Sequence, residues 1–106
     1  MYLLHGSLSA KPGHAGELAN LLITASQLVS TSPGCKLYAI SQDAQQPDVV
    51  FVTEIWETKQ DHANSLQQPG VIQLIQKAMP IIDKQPEKGQ ELSILGGFGI
   101  HKDRLG

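Results

Sequence analysis

Glu54, Trp56 and His62 put a carboxylate, an indole and an imidazole within nine positions of one another. An imidazole titrates near neutrality, which suits a general base. A carboxylate beside it can orient the ring or accept a substrate hydroxyl, and an indole offers a flat apolar wall. Glu54 and Trp56 are two apart, so on a strand they share one face with Val52 and Val50. His62 falls in the first turns of the helix that follows, where the helix dipole favours the neutral imidazole. Each residue also has a plainer reading. His62 can face solvent or bond the preceding strand, and Trp56 can be core at a strand end. Glu54 can pair with Lys36 or Lys59.

Three further residues belong to the candidate pocket. Val52 lies on the Glu54–Trp56 face. Tyr38 can donate a hydrogen bond into the pocket or serve as a core or interface tyrosine. Ser65 shares a helical face with His62, as a wall residue or as a hydroxyl bonded back to its own helix. Cys35 reads as a small buried apolar group. His5, His14, His62 and His101 lack the spacing of a ligand set, so no metal site is expected. The "GGFG" at 96–99 follows the last strand and opens no helix, so it is not a dinucleotide fingerprint. Its glycines suit a strand that bends.

The elements that must position these groups can be read from the pattern. Tyr2 to Ser9 alternates as a strand, and "KPG" breaks it. Gly16 to Ser30 carries one apolar stripe through Leu18, Leu21, Leu22, Ala25, Leu28 and Val29, as a helix does, and "SPG" stops it. Cys35 to Gln42 and Val49 to Glu57 read as strands joined by the turn "DAQQPD". The second of these is apolar on both faces, as expected of a central or interface strand. Thr58 caps a short helix over Lys59 to Gln67, with Asp61 three residues on. Val71 to Asp83 resumes helical spacing, with a kink or end at Pro80. "KQPEKG" at 84–89 is a turn, Gln90 to Gly96 a last strand, and 98–106 a tail.

Strand, helix, strand, strand, helix, strand is the split βαβ order. It predicts an α+β, ferredoxin-like domain over 1–97 with a four-stranded antiparallel sheet. Helices cover one face of such a sheet. The other face, apolar here, needs a cover, and a second copy of the chain provides one, giving a homodimer with sheets face to face.

The bulk numbers fit. The chain has 106 residues, 41% apolar and 17% charged, with a net charge of −2 and one cysteine. That is one domain by length. No basic run marks it for nucleic acid or an anionic membrane. No apolar run approaches a membrane span, no signal peptide is evident, and a soluble cytoplasmic protein is the expectation.

The stretch Ser32-Pro33-Gly34-Cys35-Lys36-Leu37-Tyr38, the Glu54-Ile55-Trp56 triplet and His62-Ala63-Asn64-Ser65-Leu66 carry a further signal. So do the helix with a late proline and the strand ending in Gly-Gly. Together they resemble the antibiotic biosynthesis monooxygenase domain family, with its quinol monooxygenases, from about Tyr2 to Gly97. The resemblance implies a dimeric α/β barrel with a pocket between sheet and helices in each subunit. It implies oxidation of a phenol or hydroquinone by O2 with no bound cofactor. Dioxygen is a triplet, and a phenolate can give it one electron without a metal, provided a base deprotonates the substrate and water is kept out. His62 is the expected base, with Glu54 and Trp56 beside it and Tyr38, Ser65 and Val52 as substrate contacts. A haem-degrading branch of the resemblance uses an Asn on the first strand, which this chain lacks. The phenol-oxidising branch often has an Arg on the last helix, where this chain offers Lys77 and Lys84. A ligand-binding dimer without catalysis stands as the alternative from another class, and a haem-degrading monooxygenase as a third reading.

Overall fold

The computed structural model describes residues 1–84 and 89–99. The interior of the turn expected at 84–89 and most of the expected tail lie outside the described residues. The elements follow the order β1 (Tyr2–Ser9), α1 (Ala15–Val29), β2 (Cys35–Ser41), β3 (Val49–Trp56), α2 (Lys59–Ser65) and α3 (Pro69–Ala78). A single 3-10 turn (Met79–Ile81) and β4 (Gln90–Ser93) complete it. The sheet order is β2-β3-β1-β4, antiparallel throughout. This is the ferredoxin-like α+β arrangement that the pattern predicts.

The helical boundaries have local causes. Thr58, in extended conformation, accepts the Asp61 N–H at 3.1 Å and so caps α2. The next helix begins earlier than its apolar spacing predicts. Pro69 sits in its first turn, where the missing N–H costs nothing and the fixed φ suits a helix. "QQPG" is therefore a start signal as much as a break. The α-helix ends at Ala78, just ahead of Pro80, and a 3-10 turn finishes it.

Register sorts the side chains between the two faces. Opposed residues of antiparallel strands point the same way. Tyr2, Leu4, Gly6 and Leu8 thus face Trp56, Glu54, Val52 and Val50 on the helix side. Tyr38 and Ile40 join them from β2. Two apolar clusters fill the space below the helices. One is built on Leu18, Val50, Ala78 and Ile81. The other is built on Val29, Trp56 and Val71, with Tyr2, Cys35 and Tyr38 against it. The outer face carries Leu3, His5 and Ser7 opposite Ile55, Thr53 and Phe51, with Leu37 and Ala39 alongside. His5 stacks on Phe51 with ring centres 6.0 Å apart, and its Nδ1 lies 2.9 Å from the Thr53 hydroxyl.

Candidate active site

Glu54 and Trp56 reach the helix side because β3 is pinned on both edges, to β1 and to β2. His62 reaches the same place because only two residues separate the end of β3 from the start of α2, which lies against it. The turn at Gly34 sets the seat of α2. Gly34 has φ +84°, and a Cβ there would fall into the Asp61 carboxylate. Only glycine meets both conditions.

The three groups form one contact set. The indole Nε1–H of Trp56 donates to Glu54 Oε1 at 3.0 Å. His62 Nε2 lies 3.6 Å from the same oxygen, an ion pair when the ring is protonated. The rings of Trp56 and His62 meet edge to face, 5.8 Å between centres. Trp56 has no exposed surface, whereas the His62 side chain keeps 18% of its surface. The indole is thus a packed core element whose polar edge is committed to the carboxylate. The salt bridges open to Glu54 from sequence are made elsewhere: Lys36 pairs with Glu57 at 3.6 Å and Lys59 with Glu91 at 3.0 Å.

Burial pushes the Glu54 carboxyl above the usual carboxylate range, while the indole donor and nearby His62 pull it back. The second oxygen, Oε2, has no hydrogen-bond partner among the described residues. No buried side-chain oxygen among them is left unpartnered, so Oε2 is accessible. Glu54 lines a cavity of 230 Å³ with Tyr38, Val52, Leu4 and Leu22, and the backbones of Gly6 and Gly89 form one wall. These two glycines lie back to back, and a Cβ on Gly89 would come within 2.9 Å of the His5 carbonyl oxygen.

Tyr38 stands opposite Glu54 in register. Its hydroxyl has no hydrogen-bond partner among the described residues and is likewise accessible. Burial, and then the Glu54 charge, raise its pKa far above the usual phenol range, so it is a neutral donor. Val52 supplies an apolar wall of the same cavity. His62 stands behind Glu54 and does not line this cavity. Ser65 is buried, donates to the His62 carbonyl at 2.6 Å, and faces a separate polar hollow with Asp61, Asn64 and Gln68.

Sequence reasoning missed Tyr2, which walls in His62, and the residue that holds its hydroxyl, Glu91. The Tyr2 ring lies 6.1 Å from the imidazole, and its hydroxyl donates to Glu91 Oε1 at 2.9 Å. Tyr2 precedes Glu91 by 89 positions, so only the β1–β4 register brings them near. No spacing rule could have found the pair. No cluster of metal-ligating side chains occurs among the described residues. None of their helices is long and apolar enough to cross a membrane.

A ferredoxin-like sheet with a buried carboxylate in the lining of an open hollow defines a small α+β domain with a candidate pocket on the helix side of its sheet. The family model described as antibiotic biosynthesis monooxygenase matches residues 1–77. The chain belongs to that family. A Chloroflexus aurantiacus J-10-fl protein provisionally given that family's name is 33% identical. The match covers 94% of this chain and 98% of that one, with a TM-score of 0.83. A Deinococcus radiodurans protein, also named provisionally for the family, is 30% identical over 95% of this chain and 99% of its own, at TM-score 0.79. A Nitrosomonas europaea structure is 17% identical over 89% of each chain, at TM-score 0.83, and shares the fold. No curated protein matches the chain significantly.

Proposed function

We propose that the protein is a cofactor-independent monooxygenase that oxidises a phenol or hydroquinone with O2, acting as a cytoplasmic homodimer. The observation that carries this reading is the division of labour at Glu54. One oxygen is held by the indole and faces His62, and the other has no partner among the described residues, on a side chain that lines the cavity.

In this reading Glu54, not His62, meets the substrate. A carboxylate whose pKa is raised by burial is a stronger base than one in water. It takes the hydroxyl proton of the substrate at Oε2 and later returns it to the peroxide, while His62, 3.6 Å from Oε1, steadies the charge of the carboxyl from the other side. Tyr38 donates to an oxygen of the ring. The phenolate then gives one electron to O2, and superoxide and the aryloxyl radical combine at a ring carbon. The resulting hydroperoxide loses water to leave the quinone. Phenol and O2 become quinone and water, so atoms and electrons balance without an added reductant. Trp56 holds Glu54, and Val52 shields it from water.

Oxygen uptake with a panel of simple hydroquinones tests the reading. Glu54→Gln should lower kcat/KM by about 10²–10⁴, the range for losing a general base. His62→Ala should lower it about tenfold, ~1.4 kcal/mol of barrier. A wild-type protein that binds hydroquinones yet consumes no oxygen would move the reading to a ligand-binding dimer.

A further inference from the structure

The Glu54 cavity shares Leu8, Leu22 and Tyr38 with a second cavity, of 220 Å³, between α1 and α3. The two helices meet at both ends of this hollow. Toward one end Gly70 lies so close to Leu28 that a Cβ would be 3.0 Å from Leu28 Cδ1. Toward the other, Ala78 and Ile81 join Leu18 in the core. Between these contacts the short side chain of Ala25 leaves the volume unfilled. Tyr38 is the one polar side chain in its lining. A polar ligand would lose its water there and find almost nothing to bond. An apolar hollow of this kind favours apolar guests. The lining also continues outward. Leu66, Ile75 and Met79 border the cavity and are 42%, 46% and 55% exposed, an apolar rim at its mouth.

We propose that this second cavity holds an aliphatic chain carried on the ring of the substrate. The substrate class is then an alkyl- or prenyl-substituted phenol or hydroquinone, its hydroxyl at Glu54 and Tyr38 and its chain between α1 and α3. The placement of the ring rests on the function proposed above. At about 30 Å³ for each small group, the hollow takes roughly seven carbons. A longer chain would continue over Leu66, Ile75 and Met79.

Calorimetric titration of the full chain with phenol and 4-alkylphenols from methyl to octyl tests this without turnover. Affinity should rise about fourfold per methylene and flatten near the length that fills the cavity. Ala25→Leu should bring the plateau to a shorter chain and leave phenol itself unaffected. Ile75→Glu, at an exposed position, should weaken octylphenol and not methylphenol, and it serves alone if Ala25→Leu does not fold. Affinity independent of chain length in the wild type would overturn the proposal. So would an Ile75→Glu variant that binds octylphenol normally but changes sedimentation, because the rim would then be a subunit contact. Oxygen uptake with unsubstituted hydroquinone separates the two readings. Uptake without a chain-length slope removes this inference alone. A slope without uptake keeps the cavity assignment and removes the oxidation.

Discussion

Glu54 is a carboxylate whose two oxygens have different surroundings, and its titration should show in stability as well as in rate. Burial raises its pKa above the unfolded value, so the folded protein holds that proton more tightly. Its contribution is fully stabilising below the unfolded pKa and is lost as pH rises through the folded one. Urea unfolding of wild type and Glu54→Gln across acid to neutral pH should show this as a difference. The wild type loses stability relative to the variant with rising pH, because glutamine cannot ionise. The indole is the second lever. Trp56→Phe removes the indole hydrogen bond to the carboxylate and leaves a gap in a fully buried site. It should cost about 2–3 kcal/mol in urea unfolding. It should also move the rise of kcat/KM with pH to higher pH, because a donor that favours the ionised form has gone.

Among the elements, α2 depends most on one backbone position. Gly34→Ala meets a positive φ and the Asp61 carboxylate together. A loss of roughly 2 kcal/mol is expected, read as a drop of about 10 °C in thermal unfolding. Asp61→Ala in the same chain should restore only some of the part due to the clash, since the Asp61 Cβ would itself lie 2.8 Å from the added one, and none of the part due to φ. The Asp61 side chain can be removed cleanly because the helix cap uses its backbone N–H. Much of this scale was legible in the residues. β1 was read with the bounds it has, and β2, β3 and α1 to within a residue at each end, because alternation and the apolar stripe are local signals. The start of α3 was not, because proline in "QQPG" reads as a breaker unless the first-turn position is considered. The gathering of Glu54, Trp56 and His62 was also legible, since a shared strand face and a following helix suffice. The cavities were not. They depend on how far α1 stands from α3 and on which short side chains meet there, which no local pattern encodes.

At the scale of the whole molecule, the outer sheet face is the feature that calls for a partner. It carries Phe51 opposite Ser7 and Leu3 opposite a buried Ile55, with Leu37 and Leu92 partly exposed beside that pair. The proposed homodimer should sediment as two chains at micromolar concentration, and Phe51→Glu should leave one, with its far-ultraviolet dichroism unchanged. The same face bears on the chemistry through the pleat of β3. Odd positions, Phe51, Thr53 and Ile55, point outward; even positions, Val52, Glu54 and Trp56, point to the helices. This strand can drift by substitution on either side alone. It cannot absorb an added or deleted residue, because a slip of one place would send the acid and the indole outside and bring phenylalanine in. Among descendants of this chain, length changes should therefore collect in the loop before Val49 and be missing between Val49 and Trp56.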